Sequence, residues 1–239
     1  MDKDKSAGTV QSLDRGIRLL EIVSEGDGLP LTHISRQAGL PPSTVHRILA
    51  TLEQRGLVRQ DPESGDWLIG VRAFQIGAAF LRNRKVVEVA RPFMRDLMET
   101  AGETVSIAVP DNGRAVVLAQ FESHSPVRTF HRPGSSVPLH ASAAGKSLLS
   151  AKSEREIHKF LEKFGLARLT ANTIVDPVAF EAELKRVRQR GFAIDAEEHT
   201  LGMRCVGAPI HNEHGDAIAA ISVSGPLARM TDERLMEVG

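Results

Sequence analysis

The sequence holds very little cysteine, and this scarcity excludes one class of protein and one kind of site. Cys205 is the only cysteine among 239 residues, so the chain can neither close an internal disulfide nor supply the several thiolates of a cysteine-rich zinc site. A secreted scaffold stabilised by disulfides is therefore excluded, and a reducing compartment is expected.

Long apolar runs and an excess of either charge are also missing. No segment approaches the roughly 18 uninterrupted apolar residues that a membrane span requires. The first ten residues are polar and of mixed charge, without the apolar stretch of a signal peptide. We therefore expect a cytoplasmic protein with no membrane partner. Basic and acidic residues number 30 each, so binding to nucleic acid would require a local basic patch.

The composition that is present fits a folded chain of two domains. Hydrophobic residues make up 41% of the chain and charged residues 25%, which is enough apolar side chain for a core. The length exceeds that of a typical domain of about 100 to 150 residues. Periodicity places the boundaries at residues 1–70, a linker helix at 71–84 and a second domain at 85–239.

The first domain has the pattern of a winged helix-turn-helix. Apolar residues recur at helical spacing in residues 13–23, 34–38 and 45–52, with Ser12 and Thr32 predicted to cap the first two helices and Gly39 to end the second. Two β-prone runs then flank a turn-rich stretch. They are residues 57–59 and 67–69, around the stretch at 61–65.

This domain also carries the local basic patch. Residues 28–60 contain four arginines and one glutamate, a net charge of +3. Hydroxyl, imidazole and guanidinium groups at the start of the third helix suit base edges and phosphates of double-stranded DNA. An ordinary solvated helix face is the alternative. The candidate DNA-binding residues are Arg36, Ser43, Thr44, His46, Arg47 and Arg59.

The second half has the pattern of an α+β domain with a mainly antiparallel sheet. Residues 71–81 are apolar on more than one face, which predicts a helix packed against a neighbour or a second subunit. A domain junction is expected near Asn83. Beyond it, short β-prone runs include two that flank the hairpin turn Asp111-Asn112-Gly113. The β-prone runs are residues 105–109, 115–119, 205–210 and 217–224, and helices are expected near 141–151, 154–163 and 178–190.

Two segments of this half invite a chemical interpretation. Residues 141–147 resemble the tail of a phosphate-binding loop, but His140 stands where that loop needs glycine, so a helix start that favours a carboxylate is the better interpretation. A hydrolase using Cys205, His199 and Glu198, or a metal site there, is the alternative function. No ligand spacing supports it, and we expect neither catalysis nor a cofactor or metal.

The ordered motifs of the whole chain resemble those of IclR-type bacterial transcriptional regulators. In the first half the resemblance lies in LDRGI at 13–17, LPPSTVHRILATLE at 40–53 and GLV at 56–58. In the second half it lies in PLHASAAGK at 138–146, GFAIDAEE at 191–198, GAPI at 207–210 and VSGP at 223–226.

The resemblance implies a fold, a function and a binding site. It implies a winged helix-turn-helix, a linker helix and a GAF/profilin-like effector domain. The function would be that of a repressor or activator of a metabolic operon, acting as a homodimer that pairs into a tetramer on a palindromic operator. A small carboxylate, keto acid or aldehyde acid would be the effector. By motif, the effector-binding residues would be Ala143, Ala144, Asp195, Cys205, Ser222 and Ser224.

Three of these positions carry open questions. Ala143 stands where the family often has glycine, which would narrow the site. Ser222 and Ser224 are two apart on a predicted strand and so face the same side. Their hydroxyls would either reach a ligand or be satisfied by the backbone.

Overall fold

The chain separates into two units at the boundary between residues 84 and 85. The computed structural model describes residues 10–82 and 85–239, and its contacts divide Met1–Arg84 from Lys85–Gly239. The junction predicted near Asn83 lies outside the described residues.

The first unit is a winged helix-turn-helix, as predicted. The two strands that follow the third helix pair antiparallel, with Val58 opposite Ile69 and Gln60 opposite Trp67. Its elements are α1 Gln11–Ser24, α2 Leu31–Ala38, α3 Pro42–Gln54, β1 Val58–Gln60, β2 Trp67–Ile69 and α4 Val71–Arg82.

The starts of the first two helices differ from the prediction. Val10 and Pro30 stand at the N-cap positions with extended backbone and no side-chain cap, so the assignment of Ser12 and Thr32 as caps was wrong. Proline fixes φ and tolerates the extended backbone, and α2 therefore begins directly after Pro30. The end of α2 was predicted correctly, because Gly39 adopts the left-handed conformation with φ of 65°.

The core of the first unit joins the three helices to the wing. Leu19, Ile34, Val45 and Leu49 are completely buried, and Trp67 from β2 is buried with them. Trp67 also exchanges two backbone hydrogen bonds with the segment before α2, where Leu29 lies. The wing is thereby joined to the segment before α2 and to the core that contains α3.

The second unit is built on one six-stranded sheet in the order β5-β4-β3-β8-β7-β6. Every neighbouring pair is antiparallel, which confirms the predicted α+β class. Its strands are β3 Thr104–Asp111, β4 Arg114–Phe121, β5 Ser136–Pro138, β6 Ala193–Ala196, β7 Met203–His211 and β8 Ala217–Pro226. Its helices are α5 Lys85–Ala101, α6 Ala143–Ser150, α7 Glu154–Phe164, α8 Pro177–Arg190 and α9 Asp232–Val238.

The prediction missed the two edge strands. Strands β5 and β6 span three and four residues, too few for a period of two to stand out. The predicted hairpin turn is present, with φ of 43° at Asn112 and 81° at Gly113, the positive values that a tight hairpin turn requires.

The two faces of the sheet have different partners. Helices α5 and α9 pack on one face, against Val105, Ile107 and Val223. Helices α6, α7 and α8 pack on the other face, where Ala108 and Ala220 lie. Because side chains alternate along a strand, Thr104 and Ser106 share the second face with Ala108. That face carries the candidate site.

The hydropathy of the helices gives one further result. Over residues 10–82 and 85–239, no helix has both the length and the apolar character that a membrane crossing demands.

Candidate functional site

Helix α6 lies directly on the sheet at Gly207, and the segment before α6 lies directly on the helix at Gly145. A Cβ added at Gly207 would lie 2.8 Å from the carbonyl carbon of Ala143, and one at Gly145 would lie 2.3 Å from the backbone of Leu139. Only hydrogen fits at these points, since real Cβ contacts are longer. The first turn of α6 is therefore pressed against β7.

The start of α6 is capped by its own sequence. The Ser142 hydroxyl accepts from the Gly145 N–H at 3.1 Å and donates to the Pro138 carbonyl at 2.7 Å. Within the part of the chain that the structure describes, no protein group accepts from the N–H of Ala143 or Ala144. These two N–H groups lie at the positive end of the helix dipole and therefore remain available to a hydrogen-bond acceptor.

A small cavity of about 40 Å³ lies beside this end of α6. All six residues predicted to bind an effector line it, so the structure brings the set together. Four residues not in that set also contribute polar atoms. The predicted residues are Ala143, Ala144, Asp195, Cys205, Ser222 and Ser224, and the additional polar ones are Ser106, His131, Ser142 and His199.

The sheet register explains why the predicted residues meet. Asp195 pairs with Cys205 and Cys205 pairs with Ser224 on neighbouring strands, so the three form one row across the sheet. Ser222 lies two residues from Ser224 and pairs with Ser106 of β3. These side chains form the floor of the cavity.

The floor hydroxyls are not committed to the backbone. Ser222 and Ser224 are buried, and the Ser224 hydroxyl interacts with the Cys205 thiol. Among the described residues, neither hydroxyl has a backbone hydrogen-bond partner, which leaves the satisfied-serine alternative without support.

Asp195 is a buried carboxyl group held in place by the backbone. Its Oδ1 accepts from the N–H of Glu198 at 2.7 Å and from that of His199 at 3.4 Å. Burial, and then the nearby Glu198 carboxyl, raise the pKa of Asp195 to about 7. The group can therefore act as hydrogen-bond donor or acceptor near neutral pH.

A buried ion pair stands behind Asp195. Lys146 of α6 pairs with Glu198, and both side chains are almost completely inaccessible. Burial raises the pKa of Glu198, and the Lys146 ammonium opposes that rise. The hydroxyl of Thr173 donates to the Glu198 carbonyl at 2.7 Å. These contacts fix the loop after β6 against α6.

The Cys205 thiol is unsuited to nucleophilic catalysis. Burial, and then the neighbouring Asp195, raise its pKa to about 12, whereas a nucleophilic cysteine needs a lowered pKa. Across residues 10–82 and 85–239, no group of three or more His, Cys, Asp or Glu side chains is arranged to hold a metal ion. The geometry therefore disfavours the hydrolase alternative.

Sequence reasoning missed part of the cavity wall. Ser106 had a detectable signal, because Thr104, Ser106 and Ala108 are small or polar and alternate with Val105 and Ile107 along β3. His131 had none, since it lies in the irregular segment between β4 and β5. His199 entered the prediction only as a catalytic or metal-binding candidate.

A larger groove lies on the opposite face of the sheet. It has a volume of about 570 Å³ and is lined mainly by apolar residues of α5 and the β7–β8 hairpin, including Val89, Phe93 and Ile210. Its walls are mainly apolar, whereas polar side chains from several strands meet in the smaller cavity, so we place the candidate ligand site there.

The first unit presents the predicted DNA-binding side chains at its surface. Ser43, His46 and Arg47 of α3 are exposed, and Thr44 is half-buried. The His46 ring meets Trp67 edge-on, with ring centroids 6.2 Å apart. The start of α3 is thus both accessible and tied to the core.

Two further arginines lie outside α3. Arg36 is exposed in the last turn of α2. Arg59 of β1 lies 4.0 Å from Asp61, with 55% of its side chain exposed. The Asp61 carboxylate accepts from the N–H groups of Glu63 and Ser64, and these bonds lower its pKa. The Arg59 guanidinium therefore keeps most of its hydrogen-bonding capacity.

A winged helix-turn-helix followed by an α+β unit with a small polar cavity defines a ligand-responsive DNA-binding regulator. Comparison with known families identifies the two parts. Residues 12–62 match the IclR helix-turn-helix domain, and residues 78–239 match the C-terminal domain of bacterial IclR transcriptional regulators. The chain belongs to the IclR family of transcriptional regulators.

Characterised relatives include repressors. The chain is 44% identical over 237 residues to the transcriptional repressor IclR of Escherichia coli K12, covering 98% of this chain and 86% of that protein. It is 40% identical over 230 residues to the repressor AllR of the same strain, covering 96% and 85%.

Solved structures share the fold. The Thermotoga maritima IclR structure has a TM-score of 0.76 at 28% identity, covering 96% of this chain and 93% of that one. An IclR homologue from Microbacterium hydrocarbonoxydans, complexed with 4-hydroxybenzoate, has a TM-score of 0.80 at 27% identity, covering 95% and 93%.

Proposed function

We propose that this protein binds operator DNA as a homodimer and is controlled by a small organic acid held in the cavity beside α6. The observation that carries the proposal is the juxtaposition of the first two α6 amides, which have no acceptor among the described residues, with the hydroxyls of Ser222 and Ser224. Such donors suit a carboxylate or keto oxygen. Asp195 would accept from a ligand hydroxyl or hydrate, and Cys205 would form part of the wall.

The size of the cavity limits the effector. A volume of about 40 Å³ is well below the roughly 300 Å³ at which pockets for drug-sized ligands begin. The Microbacterium homologue was solved with the aromatic acid 4-hydroxybenzoate. For this chain the cavity favours an acid of only a few carbon atoms.

The first unit would read DNA through the start of α3. Ser43, Thr44, His46 and Arg47 would face the major groove, and Arg36 and Arg59 would hold flanking phosphates. The division into a DNA-binding domain at 1–70, a linker helix at 71–84 and an effector domain at 85–239 would separate the two activities. Since its target is chromosomal DNA, the protein would act in the cytoplasm.

Dimerisation would follow from the apolar surface of α4. Val71, Phe74 and Ile76 expose 73%, 72% and 57% of their surfaces, which is unusual for three apolar residues on one helix of a monomer. Pairing of two linker helices would bring two winged units onto a palindromic operator of a metabolic operon. Pairing of two dimers would give the tetramer.

Control by the effector requires unequal binding to two arrangements of the dimer. A ligand that binds both arrangements equally shifts nothing. The relatives IclR and AllR are repressors, and we propose that this protein is also a repressor.

A mobility-shift assay on DNA flanking the protein's own gene tests DNA recognition. Replacing Arg47 by alanine should weaken binding by about 5- to 100-fold, the loss of about 1–3 kcal/mol expected for one arginine at a base edge. The matched control is Arg55→Ala, which removes an exposed arginine at the C-cap of the same helix, directly after its last residue. The control should lose much less affinity. Equal losses would assign α3 a general electrostatic role, and no binding by the wild type at low salt would overturn the regulator model.

A further inference from the structure

Two histidines from separate loops line the same cavity as the start of α6. His131 belongs to the segment between β4 and β5, and His199 to the segment between β6 and β7. The two imidazoles are close enough that His131 lowers the pKa of His199. The sheet therefore brings together two titratable rings that are 68 positions apart in the sequence.

The loop that carries His131 is anchored at several points. The backbone N–H of His131 donates to Gln120 Oε1 at 2.7 Å. Nearby, the Thr104 hydroxyl donates to the Thr129 carbonyl at 2.9 Å. Arg229, paired with the buried Glu103, donates to the Val127 carbonyl at 2.8 Å. His131 is thus positioned by both sheet and loop contacts.

The two rings keep nitrogen atoms for a ligand. Nδ1 of His199 lies 3.0 Å from the Thr200 hydroxyl, which leaves Nε2. Within the described residues, neither ring nitrogen of His131 has a protein hydrogen-bond partner. His140, the third histidine nearby, is occupied, because its Nε2 lies 2.9 Å from the Ala167 carbonyl.

The charges around these rings leave room for an anion. Asp195 is the acidic group that lines the cavity, and backbone N–H groups hold its Oδ1. The Glu198 carboxylate is paired with Lys146. Burial lowers the pKa of His131, and burial with His131, Arg114 and His140 lowers the pKa of His199. Both rings are therefore neutral donors near pH 7 when no ligand is bound.

We propose that His131 and His199 bind a second acidic group of the effector, so that the cavity selects short dicarboxylates over monocarboxylates with the same number of carbon atoms. The proposal rests on the proposed function, in which the α6 amides and the floor serines hold the first carboxylate. One end of the ligand would lie at α6 and the other between the imidazoles. The small cavity limits the acid to about three or four carbon atoms.

Isothermal titration calorimetry with malonate and propionate tests the proposal. Both acids have three carbon atoms, and malonate carries a second carboxylate where propionate carries a methyl group. The full-length wild type should bind malonate about tenfold more tightly, as expected for hydrogen bonds to a charged group. The double variant His131→Gln, His199→Gln should lose this preference and bind propionate within about twofold of the wild type.

The control variants separate specific from general effects. His124→Gln changes an exposed histidine in the same loop as His131 and should keep the preference for malonate. The double variant Ser222→Ala, Ser224→Ala should weaken both acids, because it removes donors for the first carboxylate.

The possible results distinguish this inference from the proposed function. Binding of both acids with equal affinity, or an unchanged preference in the histidine double variant, would overturn the second acidic subsite alone. Failure of both acids to bind the wild type would overturn the carboxylate effector of the proposed function and this inference with it.

Discussion

At the scale of single residues, the cavity depends on a carboxyl group that is costly to ionise. Asp195 is buried beside Glu198, and its pKa of about 7 lies above the 3.8 of an unperturbed aspartate. Between pH 3.8 and about pH 7, the folded protein therefore binds more protons at this site than the unfolded chain does. The stability that this group contributes is present below pH 4 and is lost as the pH rises through 7.

Replacing Asp195 by asparagine should remove this pH dependence. Asn Oδ1 can accept the same two N–H bonds, and it carries no proton to lose. The free energy of unfolding of the variant minus that of the wild type should therefore rise by about 1–3 kcal/mol as the pH increases from 5 to 8. Urea denaturation followed by circular dichroism measures this difference. Asp96→Asn, at an exposed site on α5, should show no such trend, and a flat difference for Asp195→Asn would mean that Asp195 is ionised in the folded protein.

At the scale of elements, the placement of α6 decides whether the cavity exists. Its capping serine, its first two amides and its buried Lys146 are all local to one helix. The serine and the two amides line the cavity only if β7 approaches the first turn of α6 closely, and Gly207 permits that approach. Helix α6 and strand β7 therefore form this part of the cavity together.

A methyl group at Gly207 should displace the start of α6. Gly207→Ala would place Cβ within 3.0 Å of backbone atoms of Ala143 and Ala144, which cannot move without shifting the helix. We expect a loss of about 1–3 kcal/mol in stability, together with loss of the thermal shift caused by propionate or malonate.

The control for this change is a similar destabilisation on the other face of the sheet. Ile221→Val removes one methylene from the side packed with α5 and should cost about 0.5–1.5 kcal/mol. It should leave the thermal shift intact. Retention of the ligand response in Gly207→Ala would show that the α6 amides are not part of the binding site.

At the scale of the whole molecule, a chain of zero net charge carries a DNA-binding surface. The 30 basic and 30 acidic residues are unevenly distributed, and residues 28–60 have a net charge of +3. The two units differ in partner, so the net charge of the whole chain does not describe the charge of either unit. The apolar face of α4 is the surface of the first unit on which the proposed dimer depends.

A charge on the apolar face of α4 should disrupt the dimer. Phe74→Glu places a carboxylate where 72% of an aromatic residue is exposed, and burying that charge in an interface is costly. Sedimentation should report a shift toward monomer, and operator affinity should fall because half-sites would be bound singly. Gln75→Glu adds the same charge at the neighbouring exposed position and should remain dimeric. An unchanged sedimentation profile for Phe74→Glu would remove α4 from the interface.

Local features of the sequence were sufficient to predict most helices and the longer strands. Apolar spacing located α3, and β-prone runs around a turn-rich stretch located the wing. Asn112-Gly113 located the β3–β4 hairpin. All these signals depend on neighbours within a few residues. The caps of α1 and α2 were predicted wrongly, because each helix begins before the residue assigned as its cap, which places Ser12 and Thr32 inside the first turn.

The sequence by itself determined the two domains, the basic patch and, through its motifs, six of the residues that line the cavity. Tertiary structure alone decided that Ser106, His131 and His199 join them, because sheet register and loop anchoring bring together residues distant in sequence. It also decided the chemistry of Asp195 and Cys205. Their pKa values depend on burial and on neighbouring charges, which exist only once the chain has folded.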